Sequence, residues 1–115
     1  MGKVDLTYLL SITDGNKELF LEIIDIFVIQ VEEIWIEMQV LFDKQEFELV
    51  GNLAHKAKSS VAIMGMENMA GDLKKLELFC HEKVNLEMCQ SIIIKFKTEC
   101  LQVIQELEAI KKIYI

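Results

Sequence analysis

The residues with the clearest chemical potential lie in the run Ala54-His55-Lys56-Ala57-Lys58-Ser59-Ser60. Apolar spacing around it predicts a helix whose buried stripe centres between Ala54 and Ala57. At 100° per residue, His55 falls about 140° from that centre and projects toward solvent. Its neighbours on the helix surface are Gly51, Asn52, Lys58, Ser59 and Ala62, at −4, −3, +3, +4 and +7. One imidazole thus stands in a clearing of small residues, with a cation one turn away. An imidazole in water has a pKa near 6.5, so at pH 7 it is mostly neutral and keeps a free nitrogen lone pair. Such a ring can attack a phosphoryl group without a separate base. Lys58 could offset the anionic product. Two unit charges about 4 Å apart interact by about 4 kcal/mol at an effective dielectric of 20, an upper bound for an exposed site. Ser59 or Ser60 could add a hydroxyl hydrogen bond. Gly51 costs about 1 kcal/mol relative to Ala in mid-helix, which points to a close approach there. The run supplies no second acid, base or metal ligand, so a partner must bring the rest.

The elements that position this run read as helices, because apolar residues recur every three or four positions nearly throughout. A short first helix is expected over residues 6–11. Thr13-Asp14-Gly15-Asn16 then breaks the chain, with Asp14 as the expected N-cap of a long second helix over 16–42. Asp43 is expected to cap the third helix, with Glu46 as its capping-box partner. That helix should end at residue 63, before Gly65 supplies a left-handed stop. A fourth helix is expected over 67–82. Asn85 should cap a fifth over 86–112, with Lys111 and Lys112 favourably placed at its negative end.

Three helices carry a single stripe: Phe47, Val50, Ala54, Ala57, Val61 and Met64; Met66, Met69 (or Ala70), Leu73, Leu76 and Cys80; Cys89, Ile93, Phe96, Cys100, Val103, Leu107 and Ile110. This spacing suits an all-α, antiparallel four-helix bundle with a short additional N-terminal helix. The second helix is apolar around most of its circumference, so part of it should stay exposed as a docking patch. That patch is expected to be continuous with Gly51, Ser59 and Ala62.

Composition narrows the partners. The chain has 115 residues, one domain's worth spanning 1–115, with no proline and five glycines. Twelve Lys/Arg against 19 Asp/Glu give a net charge of −7, which disfavours nucleic acid and anionic membrane surfaces. No stretch reaches the length of a membrane span, and the N-terminus does not read as a signal peptide. Met1-Gly2 raises myristoylation, but Leu6 stands where that signal wants Ser or Thr. Cys80, Cys89 and Cys100 form no CxxC pair and lie on apolar stripes, which fits a reducing cytoplasm. Cys80, His81 and Cys89 lack a fourth zinc ligand, and His81 reads as a charge partner at a helix C-terminus. Glu32, Glu33 and Glu37 form an acidic face whose functional reading is steering toward a basic partner.

His55 with Lys58 three residues on, small residues following and Gly65 ten residues on, all within five predicted helices, resembles the histidine-containing phosphotransfer (HPt) family. The resemblance covers nearly the whole chain. It implies that His55 accepts a phosphoryl group from a receiver-domain aspartate and passes it to another receiver. It also implies that Lys58 is the charge partner and that Glu77, on the next helix, orients the imidazole. Gly51, Ser59 and Ala62 would form the binding surface. No cofactor is expected on this chain, and Mg²⁺ would belong to the receiver. The expected partners are response-regulator receivers and a hybrid sensor histidine kinase, met by a monomer that is a carrier rather than an enzyme. Ser59 stands where the family usually has Gly, and Ala57 where it usually has Leu or Ile. The other reading of the chain is a non-catalytic helical adaptor or dimerisation bundle in which His55 is incidental.

Overall fold

The computed structural model describes residues 3–114, so Met1 and Gly2, the pair that raised myristoylation, lie outside the described residues. Five helices follow one another: α1 (Thr7–Thr13), α2 (Lys17–Asp43), α3 (Phe47–Ile63), α4 (Glu67–Glu82) and α5 (Leu86–Tyr114). Among the described residues there is no strand. α2 packs on α3 and α5, and α4 packs on the same two, so the long helices form a ring in which α3 lies diagonal to α5. Short connections make consecutive helices antiparallel, in a body of 44 × 24 × 20 Å. The short helix α1 packs on α2. Among the described residues, no helix is long and apolar enough to cross a membrane.

The expected stripes form the core. Every residue of the α3, α4 and α5 stripes is buried except Phe47 and Ile110, which pack half-buried against its edge; at the open α4 position Met69 is buried and Ala70 half-buried. From α2 come Phe20, Ile24, Phe27, Val31, Ile34, Trp35 and Met38. Burial of side chains this size contributes roughly 1.5–3 kcal/mol each, which is what holds four marginal helices together.

The helix ends differ from expectation in three places. Asp14 does not cap α2: it closes α1 in the left-handed region at φ 44°, and Asn16 caps α2 by accepting a hydrogen bond from Leu19 N–H at 2.9 Å. Asp43 does not cap α3. It is the last residue of α2, its carboxylate accepts from Gln39 Nε2 at 2.9 Å, and no capping box with Glu46 forms. Asn85 adopts φ 52° rather than the extended backbone usual for an N-cap. One device instead closes all three turns between the long helices. A left-handed residue (Gln45, Gly65 or Lys83) lets its own N–H and the next one fold back on the last helical turn. The pairs are Gln45 N–H to Phe42 O with Glu46 N–H to Leu41 O, and their equivalents at Gly65–Met66 and Lys83–Val84.

Gly65 has a second duty. The segment entering α1 crosses this turn, with Asp5 N–H donating to Met64 O at 2.9 Å, and a Cβ on Gly65 would meet the Asp5 backbone. Asp5 also accepts from Thr7 N–H at 3.0 Å and Thr7 Oγ1 at 2.6 Å, which starts α1. The Thr7 hydrogen bonds hold the Asp5 carboxyl below the usual carboxylate range.

Candidate functional site

His55 lies midway along α3 with its side chain 66% exposed. Its Nδ1 is 2.9 Å from Glu77 Oε2, across the α3–α4 interface. The second oxygen of the same carboxylate, Oε1, accepts from Lys58 Nζ at 3.2 Å. Glu77 therefore joins the imidazole and the lysine into one cluster. Periodicity explains the approach: Lys58 sits one turn beyond His55 on α3, and Glu77 follows Leu73 and Leu76 of the α4 stripe closely enough to lie at the seam. Its side chain is 22% exposed, against 66% for His55.

The electrostatics give the cluster a direction. Partial burial pushes the Glu77 carboxyl up, but hydrogen bonds from Lys58 and His55, with the charges behind them, outweigh that and leave it below the usual range. Glu77 is thus ionised at neutral pH and can only accept. In a neutral ring the tautomer with its proton on Nδ1 donates to Glu77 and leaves the lone pair on Nε2. A lone pair held by a carboxylate-oriented ring is a nucleophile in waiting.

The remaining residues singled out in the sequence do not all join this surface. Ser59 and Ala62 are exposed on α3, bordering a groove that α1 completes through Thr7, Tyr8 and Ser11. Ser60 turns the other way, its hydroxyl donating to Gln30 Oε1 of α2 at 3.3 Å. Gly51 is buried, and a Cβ there would run into the imidazole of His81. The close approach that a mid-helix glycine implied is real, but it admits the α4 side chain and no open clearing exists at that position. His81 Nε2 also lies 3.6 Å from Glu48 Oε1. The sequence offered only Gly51 as a signal for this contact and nothing to say what filled the space.

The expected docking patch is also divided. Ile26 borders α3 beside Ser60 and Ile63, whereas Ile36 and Val40 border α5. Because α3 and α5 lie diagonally, Ile36 and Val40 are across the bundle from the His55–Glu77 seam, and they line a different groove from Ser59 and Ala62. Two residues missed in the sequence stand near the cluster: Lys74 and Lys75 flank a groove of about 480 Å³ that Lys58, Glu77 and His81 also line. Cys80 Sγ and Cys89 Sγ are 3.8 Å apart in the core while His81 packs on α3, so these three do not converge. Burial pushes the thiols of Cys80 and Cys100 up to about 12.

The described residues thus form an antiparallel four-helix bundle with an exposed histidine, in hydrogen-bond contact with a carboxylate, midway along its second long helix. The family model of the Hpt domain matches residues 22–112, most of the chain. The chain belongs to the Hpt family, whose members are phosphotransfer intermediates in phosphorelays. Neither the curated proteins nor the solved structures include a significant match to it.

Proposed function

We infer that this chain carries a phosphoryl group on His55 between receiver domains. The observation that supports this most is the 2.9 Å contact between His55 Nδ1 and an ionised Glu77 on a ring two-thirds exposed. In the forward step Nε2 attacks the phosphorus of a receiver's aspartyl phosphate. The P–N bond forms as the P–O bond to the aspartyl carboxyl breaks, and the aspartate leaves as carboxylate. The imidazole becomes positively charged, and Glu77 stabilises the Nδ1–H that it already accepts. The reverse step, on a second receiver, returns the ring to neutral.

Lys58 is the charge partner of the phosphorylated ring. In the resting protein it is held by Glu77 at 3.2 Å, so the arriving phosphoryl group competes with Glu77 for it. The long, flexible side chain makes that exchange easy. Ser59 and Ala62 form the contact surface beside the ring. Mg²⁺ and the carboxylates that hold it belong to the receiver, and this chain contributes the acceptor alone. A hybrid sensor histidine kinase is the upstream source in this reading. The protein works as a monomer in the cytoplasm, a setting that suits three free, buried cysteines.

The test is incubation with a phosphorylated receiver, followed by phosphoamino-acid chemistry on this chain. Acid-labile, base-stable phosphate is the expected result. Its absence with several receivers, while the chain remains helical, would leave the non-catalytic adaptor as the better reading.

A further inference from the structure

The face of the bundle farthest from His55 is apolar where it could be polar. Between α2 and α5 runs a groove of about 510 Å³. Its floor is core, with Trp35 and Ile93 only 6% and 1% exposed. Its walls are four aliphatic side chains, Ile36 and Val40 from α2 and Ile94 and Leu101 from α5, each 46–55% exposed. Single exposed aliphatics are ordinary; four lining one groove over a continuous core are not. Ile36 and Val40 are one turn apart, and Ile94 and Leu101 two turns apart, so the walls extend for about 6 and 10 Å. A channel between two near-parallel helices takes the ridge of a third, whose anchors recur at i, i+3, i+4 and i+7.

Charge selects the occupant. Exposed carboxylates of α2 stand one helical turn beyond its apolar wall at both ends: Glu32 and Glu33 before Ile36, and Asp43 after Val40. The one charged side chain that lines the groove among the described residues is Lys97. A second copy of this chain would bring these carboxylates against their equals, on molecules that each carry −7. We propose that the α2–α5 groove is a docking site for an amphipathic helix of a partner protein, one presenting an aliphatic ridge flanked by Lys or Arg. A receiver over His55 works at the α3–α4 seam, so the two surfaces can be occupied together.

Trp35, the single tryptophan of the chain, lies in the groove floor and reports occupancy by its fluorescence. The probe is a tryptophan-free helix of about 15 residues, with leucines at i, i+3, i+4 and i+7 spacing and lysines elsewhere. Its counterpart has glutamates in place of the lysines. The lysine peptide is expected to shift Trp35 emission saturably at one peptide per chain. Affinity should fall about tenfold or more in the double variant Ile36→Ser, Leu101→Ser. It should fall less in Glu32→Gln, Glu33→Gln, and with added salt. The glutamate peptide should not bind. Undiminished affinity in the serine variant, or equal binding of the two peptides, would overturn the proposal. So would sedimentation showing a dimer that the serine variant dissolves, since the occupant is then a second copy. Phosphate uptake by the peptide-bound protein should match that of the free protein; blocked uptake would assign the groove to the receiver. If neither form takes up phosphate, the His55 reading fails, and the Trp35 titration still decides the docking site.

Discussion

The two opposite seams of the bundle are built from the same kind of helix and differ in the side chains they bring together. At the α3–α4 seam two polar contacts join a carboxylate to an imidazole and an ammonium, and the ring stays accessible. At the α2–α5 seam, four aliphatic walls stand over a floor of Trp35 and Ile93, with a lone lysine at the lining. In the proposed function the first seam carries the covalent step, because its charges are few, paired and close to one exposed ring nitrogen. The second, in the docking proposal, associates through area and charge complementarity. Separating reaction from association in this way would let a carrier exchange partners at one side while staying tethered at the other.

The sharpest break between the seams is His55→Gln. It should abolish phosphate uptake while shifting unfolding free energy by no more than about 0.5 kcal/mol, as for other exposed substitutions. Ile36→Ser should leave phosphate uptake intact. A large loss of stability in the His55 variant, measured by urea unfolding, would make the histidine structural and erase the functional contrast.

Next in size is a change that touches neither seam. Gly65→Ala puts a Cβ on a residue at φ 71° and against the Asp5 backbone. A destabilisation of roughly 1–3 kcal/mol is expected, with α1 loosened first. Gly51→Ala is the useful contrast, because the His81 ring it displaces is a side chain that can rotate outward. Its cost should be small, read as a shift of His81 in an NMR spectrum with little change in melting. Equal losses at the two glycines would show that His81 is fixed more firmly than its partly exposed side chain implies.

Lys58→Ala should slow transfer by up to about fivefold, the kinetic equivalent of an exposed charge pair. Lys56→Ala should leave the rate nearly unchanged, because Lys56 points roughly 100° away from His55 around the helix. Equal rates for the two variants would remove Lys58 from the chemistry.

What was legible in the sequence follows the strength of the signal. Burial stripes were readable because each of the helices α3, α4 and α5 repeats one period over its whole length, and a single misfit cannot hide it. Helix ends were less so. Asp14 and Asn16 offered equally good capping chemistry two residues apart, and only the backbone decides between them: Asp14 turns left-handed, and Asn16 stays extended. The left-handed closures at Gln45 and Lys83 lack the glycine that marks the one at Gly65, so two of three turns carried no composition signal. At the site, the solvent-facing direction of His55 was visible from its angle around α3, and its side chain is 66% exposed. The division of the second helix's apolar surface was not, because periodicity shows which residues face outward but not which neighbour flanks them.

The smallest effect is the most diagnostic of how the reactive seam is held. A carboxyl whose value is lowered in the folded protein contributes stability that is present above its ordinary value of 4.5 and lost as pH falls through the lowered one. Glu77→Gln removes the charge and keeps an oxygen that can accept from His55 Nδ1–H. The variant should therefore be less stable than the parent at pH 7 by no more than about 1 kcal/mol, since the cluster is partly solvated. That gap should hold above the ordinary value of 4.5, narrow as pH falls below it, and close once the parent's carboxylate is protonated below its lowered value. Ile36→Ser, which removes an aliphatic side chain and no charge, should show a gap that moves little with pH over the same range. Paired urea titrations across these pH values make the measurement. A Glu77→Gln gap that does not narrow as pH falls below 4.5 would mean that Glu77 acts through packing at the α3–α4 interface and not as the anion that orients His55.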